Sequence, residues 1–170
     1  MSIVNIIDNA LDKQQLKKLV KASKTFNFDL DVLHQWKNIE EFQPIINIAS
    51  SYFSLEGCLG YEIWEQKNTV PPGWHMDRDD CLFDKKGTTK FPMFTTVFYL
   101  TTGLIWGGCL NVRDGDEIIK VKPKRNRLVI FGPQVWHRVD TFNGFGNRHS
   151  IMINPWTTQI CQEENVTDGR

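Results

Sequence analysis

His75-Met76-Asp77 is the first place in this chain where residue types and spacing could do chemistry. In a strand, residues two apart share a face. His75 and Asp77 would then present an imidazole and a carboxylate side by side, with Met76 turned away. Alone, such a triplet is equally well a pair of surface or hydrogen-bonded structural groups. His137 changes the reading. It sits in the alternating run Val135-Trp136-His137-Arg138-Val139, where the inward set would be Val135, His137 and Val139, or the outward set Trp136 and Arg138. A single histidine on an apolar face is usually a hydrogen-bonded core group. Combined with His75 and Asp77, it completes a two-histidine, one-carboxylate set. That set can cap one face of an octahedral Fe(II) and leave three positions open, or hold zinc with one open position. Arg148 follows, beyond a glycine turn, in Asn147-Arg148-His149-Ser150; Arg148 and Ser150 share a face and His149 takes the other. A buried guanidinium beside a metal requires an anion, and its planar fork fits a carboxylate bound at both oxygens. A dicarboxylate could chelate the metal at one end and reach Arg148 with the other. An isolated arginine would instead serve a surface ion pair.

The elements that must position these groups are legible in outline. The chain has 170 residues, 41% hydrophobic and 24% charged, which is one domain's worth with a sizeable core and excludes low-complexity disorder. Twenty basic residues balance twenty acidic ones, so no global field favours nucleic acid or an acidic membrane. No run of about 20 apolar residues is present, and Met1–Ala10 lacks the basic start of a secretory signal. Cys58, Cys81, Cys109 and Cys161 are scattered without a CxxC pair, which argues against a zinc ribbon or a disulfide scaffold and fits a reducing cytoplasm.

Residues 1–56 read as mainly helical support. Asp12 and Gln15 form a capping box, Leu11 and Leu16 a staple, and Leu16, Leu19 and Val20 the buried side of the first helix. A second helix starts near Pro44 and carries Ile45, Ile48, Ala49 and Tyr52 on one stripe. Residues 57–158 read as short strands: 59–66, 73–77, 93–100, 109–113, 118–122, 128–131, 135–140 and 148–154. Asp114-Gly115 is a tight-turn signal, and Asn143-Gly144-Phe145-Gly146 is a break. This is an α+β, mainly β chain, a sandwich or barrel behind N-terminal helices, ending in a polar tail over 159–170.

With those elements in order, the sequence resembles the Fe(II)/2-oxoglutarate-dependent oxygenases, in the prolyl-4-hydroxylase-like branch. The resemblance rests on His75-Met76-Asp77, His137 and Arg148-His149-Ser150. Between them stand Thr96-Val97-Phe98-Tyr99-Leu100, Gly107-Gly108-Cys109-Leu110, Val121-Lys122-Pro123 and Arg127-Leu128-Val129-Ile130-Phe131, and Ile7-Asp8-Asn9-Ala10-Leu11 precedes the first helix. It covers nearly the whole chain and is strongest over Trp74–Trp156. It implies a double-stranded β-helix, a jelly-roll barrel with support helices. It implies His75, Asp77 and His137 as iron ligands, Arg148 as partner of the 2-oxoglutarate C5 carboxylate with Tyr99 and Ser150 assisting, and Val97 and Leu110 as walls around the cosubstrate. The implied activity is hydroxylation of a C–H bond using O2, coupled to conversion of 2-oxoglutarate to succinate and CO2, with ascorbate in support. Asp77 favours hydroxylation over halogenation, because the related halogenases lack this carboxylate. The prolyl hydroxylases often place a tyrosine on the strand before the HxD triplet; here Trp64 or Glu65 falls near that position and Tyr61 lies further upstream.

Trp74, Trp64 and Arg78 are the candidate substrate contacts. Residues 78–90 read either as a lid beside the metal or as a solvated hairpin. Trp64, Trp74, Trp106 and Trp136 cluster around the site in sequence and are also ordinary core residues. Lys120, Lys122, Lys124, Arg125 and Arg127 surround a turn at Pro123, and the neutral net charge favours outward lysines over a phosphate contact. The nucleobase-repair oxygenases carry a second arginine six residues beyond the first; that position is Asn154, which lowers a nucleic-acid reading. The expected partners are a peptide, plausibly at proline, or a free amino acid or other small metabolite, with a non-catalytic binding barrel as the third possibility. The sequence leaves the oligomeric state open.

Overall fold

The computed structural model describes residues 3–28, 32–67 and 71–161. In chain order the elements are β1 (Val4–Asp8), α1 (Lys13–Ala22), β2 (Leu33–His34), a 3-10 turn (Trp36–Asn38), α2 (Gln43–Ala49), β3 (Gly60–Lys67), α3 (Asp80–Lys86), β4 (Thr95–Gly107), β5 (Leu110–Asp114), β6 (Glu117–Val121), β7 (Arg127–Phe131), β8 (His137–Val139) and β9 (Phe142–Trp156). The expected tail lies mostly outside the described residues. A six-stranded sheet has the order β1-β7-β4-β9-β3-β2, and a three-stranded sheet the order β6-β5-β8. All the pairings are antiparallel.

Alternation along the strands of the large sheet separates two cores. Val97, Tyr99, Val129 and Met152 face Leu110, Val112 and Val121 of the small sheet. Phe98, Leu128, Ile130, Ile151 and Ile153 face Leu16 and Leu19 of α1 and Ile45, Ile46 and Ala49 of α2. The helices therefore back one sheet and leave the space between the sheets for a site. This is the mainly β, jelly-roll class with N-terminal support helices that the sequence led us to expect.

The capping box is present: Asp12 Oδ1 accepts from the Gln14 and Gln15 amides at 2.8 Å each, and the Gln15 side chain accepts from the Asp12 amide at 3.0 Å. The Asp114 turn closes the β5–β6 hairpin, with Asp114 opposite Glu117. Other expectations need correction. The mainly helical N-terminal segment also contains a strand that the sequence did not announce, Val4–Asp8, which pairs along β7. Helix α2 ends at Ala49, so Tyr52 leaves the stripe and is exposed, and Ile46 takes a buried place. The strand expected over 73–77 reduces to one bridge between His75 and His137, since Pro71 and Pro72 just before it cannot donate to a ladder. The break at 143–146 is absent, and β9 runs through it. Residues 78–90 are not a hairpin, because they contain helix α3. Asp79 caps α3 by accepting from the Leu82 amide at 2.8 Å, and Gly87 closes it at φ 62°.

The cysteines also depart from expectation. Cys81 and Cys161 form a disulfide, with Cα atoms 5.5 Å apart, while Cys58 and Cys109 are free. A separation of 80 residues hid the pairing, and the cysteine pattern therefore carries no argument for a reducing compartment. No helix among the described residues is long and apolar enough to cross a membrane.

Candidate metal centre

His75 and His137 are brought together by the backbone. The His75 amide donates to the His137 carbonyl at 3.0 Å and the His137 amide to the His75 carbonyl at 2.9 Å, an antiparallel pair added to the edge of the small sheet beside β8. Their ring centroids lie 4.2 Å apart. The Nδ1 of His75 is 2.8 Å from the Gly73 carbonyl and that of His137 is 3.0 Å from the Val135 carbonyl. A backbone carbonyl only accepts, so each Nδ1 carries hydrogen and, in the neutral ring, Nε2 is the atom with the lone pair. Both Nε2 atoms face Asp77 Oδ1, at 3.6 Å from His75 and 3.5 Å from His137. One donor atom from each of the three residues lies within 4.8 Å of the others, a spacing that can hold one metal ion.

The far oxygen of Asp77 is held from the large sheet. Oδ2 accepts from Thr95 Oγ1 of β4 at 2.8 Å and from Asn154 Nδ2 of β9 at 3.0 Å. Burial alone would raise the Asp77 pKa, but hydrogen bonding and the charge of His137, with the Asn154 and Thr95 donors, outweigh it and hold the carboxyl at about 2. Burial and then the charge of His137 keep His75 below the ordinary histidine value. Burial also pulls His137 down, but the hydrogen bond and charge of Asp77 prevail and raise it.

The triad opens into a cavity also lined by Trp64, Gln66, Val97, Leu110, Val139, Arg148, Ser150 and Met152. Arg148 is buried; its Nη1 donates to Ser150 Oγ at 3.2 Å and its Nε to the Gly108 carbonyl at 3.4 Å. Gly108 is required there: at φ 66° it occupies the left-handed region, and a Cβ would stand 3.3 Å from Arg148 Cδ. The guanidinium lies 5.2 Å from the Tyr99 ring centroid. The Tyr99 hydroxyl is fully buried and has no hydrogen-bond partner among the described residues. Burial pushes the phenol up, so at neutral pH it is a donor awaiting an acceptor. A carboxylate beside Arg148 would satisfy it, so the residues fit a dicarboxylate cosubstrate together with a metal.

The expected groups thus meet in one place. His75, Asp77, His137, Arg148, Ser150, Val97, Leu110 and Trp64 line the cavity, and Tyr99 adjoins Arg148. Tyr61 faces the other side of the sheet, against Trp36. Trp74 and Arg78 lie in an adjacent groove with Met76, Asp80 and Trp136, which shares His75 with the cavity. The Arg113 and Arg138 guanidinium carbons stand 5.1 and 4.9 Å from the Trp74 ring centroid, while Arg78 stacks on Phe83 and pairs with Asp80 at 2.7 Å. Trp106 is exposed at the far end of β4, away from the cavity. The sequence reading overlooked Thr95, Asn154, Gln66 and Met152. The period of two was the available signal: Thr95 shares a face with Val97 and Tyr99, and Met152 and Asn154 share one with Arg148 and Ser150.

Residues 67–157 match the family model described as the 2OG-Fe(II) oxygenase superfamily. No curated protein matches the sequence. Among solved structures, a Pseudomonas putida prolyl-4-hydroxylase is similar at 18% identity, covering 90% of this chain and 84% of that one, with TM-score 0.63. The viral collagen prolyl hydroxylase of Paramecium Bursaria Chlorella virus-1, solved with 2OG, is similar at 15% identity, covering 91% and 96%, with TM-score 0.61. A non-heme alpha ketoglutarate dependent epimerase from nogalamycin biosynthesis is similar at 11% identity, covering 91% and 77%, with TM-score 0.60. A family match over more than half of the chain, on a fold that gathers two histidines, an aspartate and a buried arginine around one cavity, makes this chain a member of the 2OG-Fe(II) oxygenase superfamily, a 2-oxoglutarate-dependent dioxygenase.

Proposed function

We propose that His75, Asp77 and His137 hold the Fe(II), that Arg148, Ser150 and Tyr99 bind the C5 carboxylate of 2-oxoglutarate, and that the enzyme hydroxylates a peptidyl residue, proline in the first instance. The observation that carries this reading is the convergence of the three donor atoms within 4.8 Å, in a cavity that also holds Arg148 and Ser150. When bound, the iron and 2-oxoglutarate supply oxidative decarboxylation to succinate and CO2 and the oxidation of a C–H bond. The chain supplies position. The Gly73 and Val135 carbonyls fix the two imidazoles with Nε2 inward. Arg148 offers a rigid fork, and Tyr99 donates its otherwise unmet proton to the same carboxylate. Val97, Leu110 and Met152 wall the cavity with apolar surface, which excludes water and strengthens these contacts.

The substrate approaches over the Trp74–Trp136 groove, because that groove shares His75 with the cavity. Its aromatic floor suits a proline ring, and prolyl hydroxylases among the similar structures support a peptide in this role. The test is a stimulation screen with Fe(II), ascorbate and O2. Proline-containing peptides are expected to raise succinate production and to gain one oxygen atom by mass spectrometry. If free amino acids do so and peptides do not, the peptidyl assignment is wrong. His137→Ala or Asp77→Ala should abolish succinate formation, whereas Arg148→Ala should chiefly raise the KM for 2-oxoglutarate. Full turnover by the first two variants would refute the ligand set.

A further inference from the structure

We infer that Thr95 and Asn154 are positioning residues that lock Asp77 into binding metal through one oxygen only; this rests on the proposed ligand set. The two carboxylate oxygens have different surroundings. Oδ1 faces both imidazole Nε2 atoms, at 3.6 and 3.5 Å. Oδ2 points away from them and already accepts two hydrogen bonds, from Thr95 Oγ1 and Asn154 Nδ2. A carboxylate oxygen with both in-plane lone pairs engaged has none left for a metal. A carboxylate free to rotate could instead bind through both oxygens and take up a fourth coordination position. A second oxygen from Asp77 would compete with cosubstrate and O2 for the positions that three protein donors would leave open on the metal.

The holding groups stand on the two central strands of the large sheet. Thr95 and Asn154 stand on β4 and β9, which pair centrally in the large sheet, and both side chains are buried. Asp77 itself lies in a segment with no strand on either side. Two hydrogen bonds to the sheet thus supply the precision its own backbone lacks. The neighbouring Thr96 turns to the opposite face, where its hydroxyl donates to the Ile153 carbonyl at 2.8 Å, so the two threonines divide between holding the site and holding the sheet. As a neutral amide, Asn154 holds the carboxylate without adding charge beside it.

Cobalt(II) is the probe, because it resists oxidation and its visible absorption reports coordination number. The parent is expected to bind one Co(II), and His137→Ala to lose it. Thr95→Val, which exchanges a hydroxyl for a methyl of the same shape, and Asn154→Leu should each weaken Co(II) affinity by roughly 10- to 100-fold. Each should also shift the absorption toward a higher-coordinate spectrum, while Thr95→Ser keeps the parent's affinity and spectrum. Equal weakening in Thr95→Ser and Thr95→Val would make the position one of packing and overturn the inference. Parent-like affinity and spectrum in Thr95→Val and Asn154→Leu would overturn it too. A parent that binds no Co(II) would instead overturn the ligand set itself. Should Asn154→Leu fail to fold, the Thr95→Val and Thr95→Ser pair decides the matter alone.

Discussion

The ionisation of individual side chains sets how this site should respond to pH. Metal binding needs an unprotonated Nε2 on both histidines, and His137 holds its proton more tightly than an ordinary histidine because Asp77 is its partner. A group with a raised folded-state pKa stabilises the metal-free protein at low pH, and that contribution is lost as pH rises through the raised value. Metal binding has the opposite dependence, since protons compete for the same nitrogen. Asp77, held at about 2, stays ionised throughout this window and adds nothing to it. The thermal midpoint of metal-loaded protein should therefore exceed that of metal-free protein by a margin that shrinks on acidification through neutrality. A margin constant across that range would contradict the proton competition. Three of the central side chains were readable from sequence because the chain alternates there: His137 faces the cavity and Trp136 is exposed, while Arg148 and Ser150 face the cavity and His149 turns to the other face of the sheet, where it is buried against Glu65. The two donors to Asp77 were equally on period but are an ordinary threonine and asparagine, types that draw no attention until a carboxylate is found beside them.

At the scale of elements, local signals succeeded where the cause was local. The capping box of α1 involves only Asp12 to Gln15, and Asp12→Ala should lower stability by about 1 kcal/mol in denaturant melts; an unchanged midpoint would mean the cap is idle. They failed where a distant strand decided the outcome. The glycines at 144 and 146 suggest a break, yet β4 and β9 run on together because small residues meet across them. A Cβ on Gly103 would stand 2.6 Å from the Gly146 Cα. Since backbone cannot yield as a side-chain tip can, Gly103→Ala should push the two strands apart and destabilise the fold by about 1–3 kcal/mol, read as a lower midpoint in denaturant melts. A parent-like midpoint would show that the ribbon has slack. Likewise β1 is held by partners remote in sequence: Asp8 pairs with Arg127 at 2.6 Å and Lys124 at 2.8 Å, which uses two members of the basic stretch as ties between strands.

Over the whole molecule, the metal site lies between two sheets whose ends are joined by long-range ties. The Cys81–Cys161 disulfide closes a loop of 80 residues from α3, just after the Asp77 segment, to the chain beyond β9. The Cys161 amide reinforces it by donating to Asp79 at 2.9 Å. No spacing rule could have paired these cysteines, since only the completed fold brings α3 against the end of β9. Closing a loop of that length stabilises by at most about 4–5 kcal/mol through the unfolded chain. Reductant should therefore lower the midpoint of the parent by several degrees and leave that of Cys81→Ser/Cys161→Ser unchanged. An equal response in both would point to Cys58 or Cys109. The central claim is that one cavity binds both iron and 2-oxoglutarate, and anaerobic titration of the Fe(II)-loaded protein with 2-oxoglutarate tests it most directly, followed by the charge-transfer absorption of the chelate. The band should grow to saturation at one equivalent, need far more 2-oxoglutarate in Arg148→Ala, and be absent in His137→Ala. A parent protein that develops no band, or a His137→Ala protein that develops it undiminished, would contradict the account.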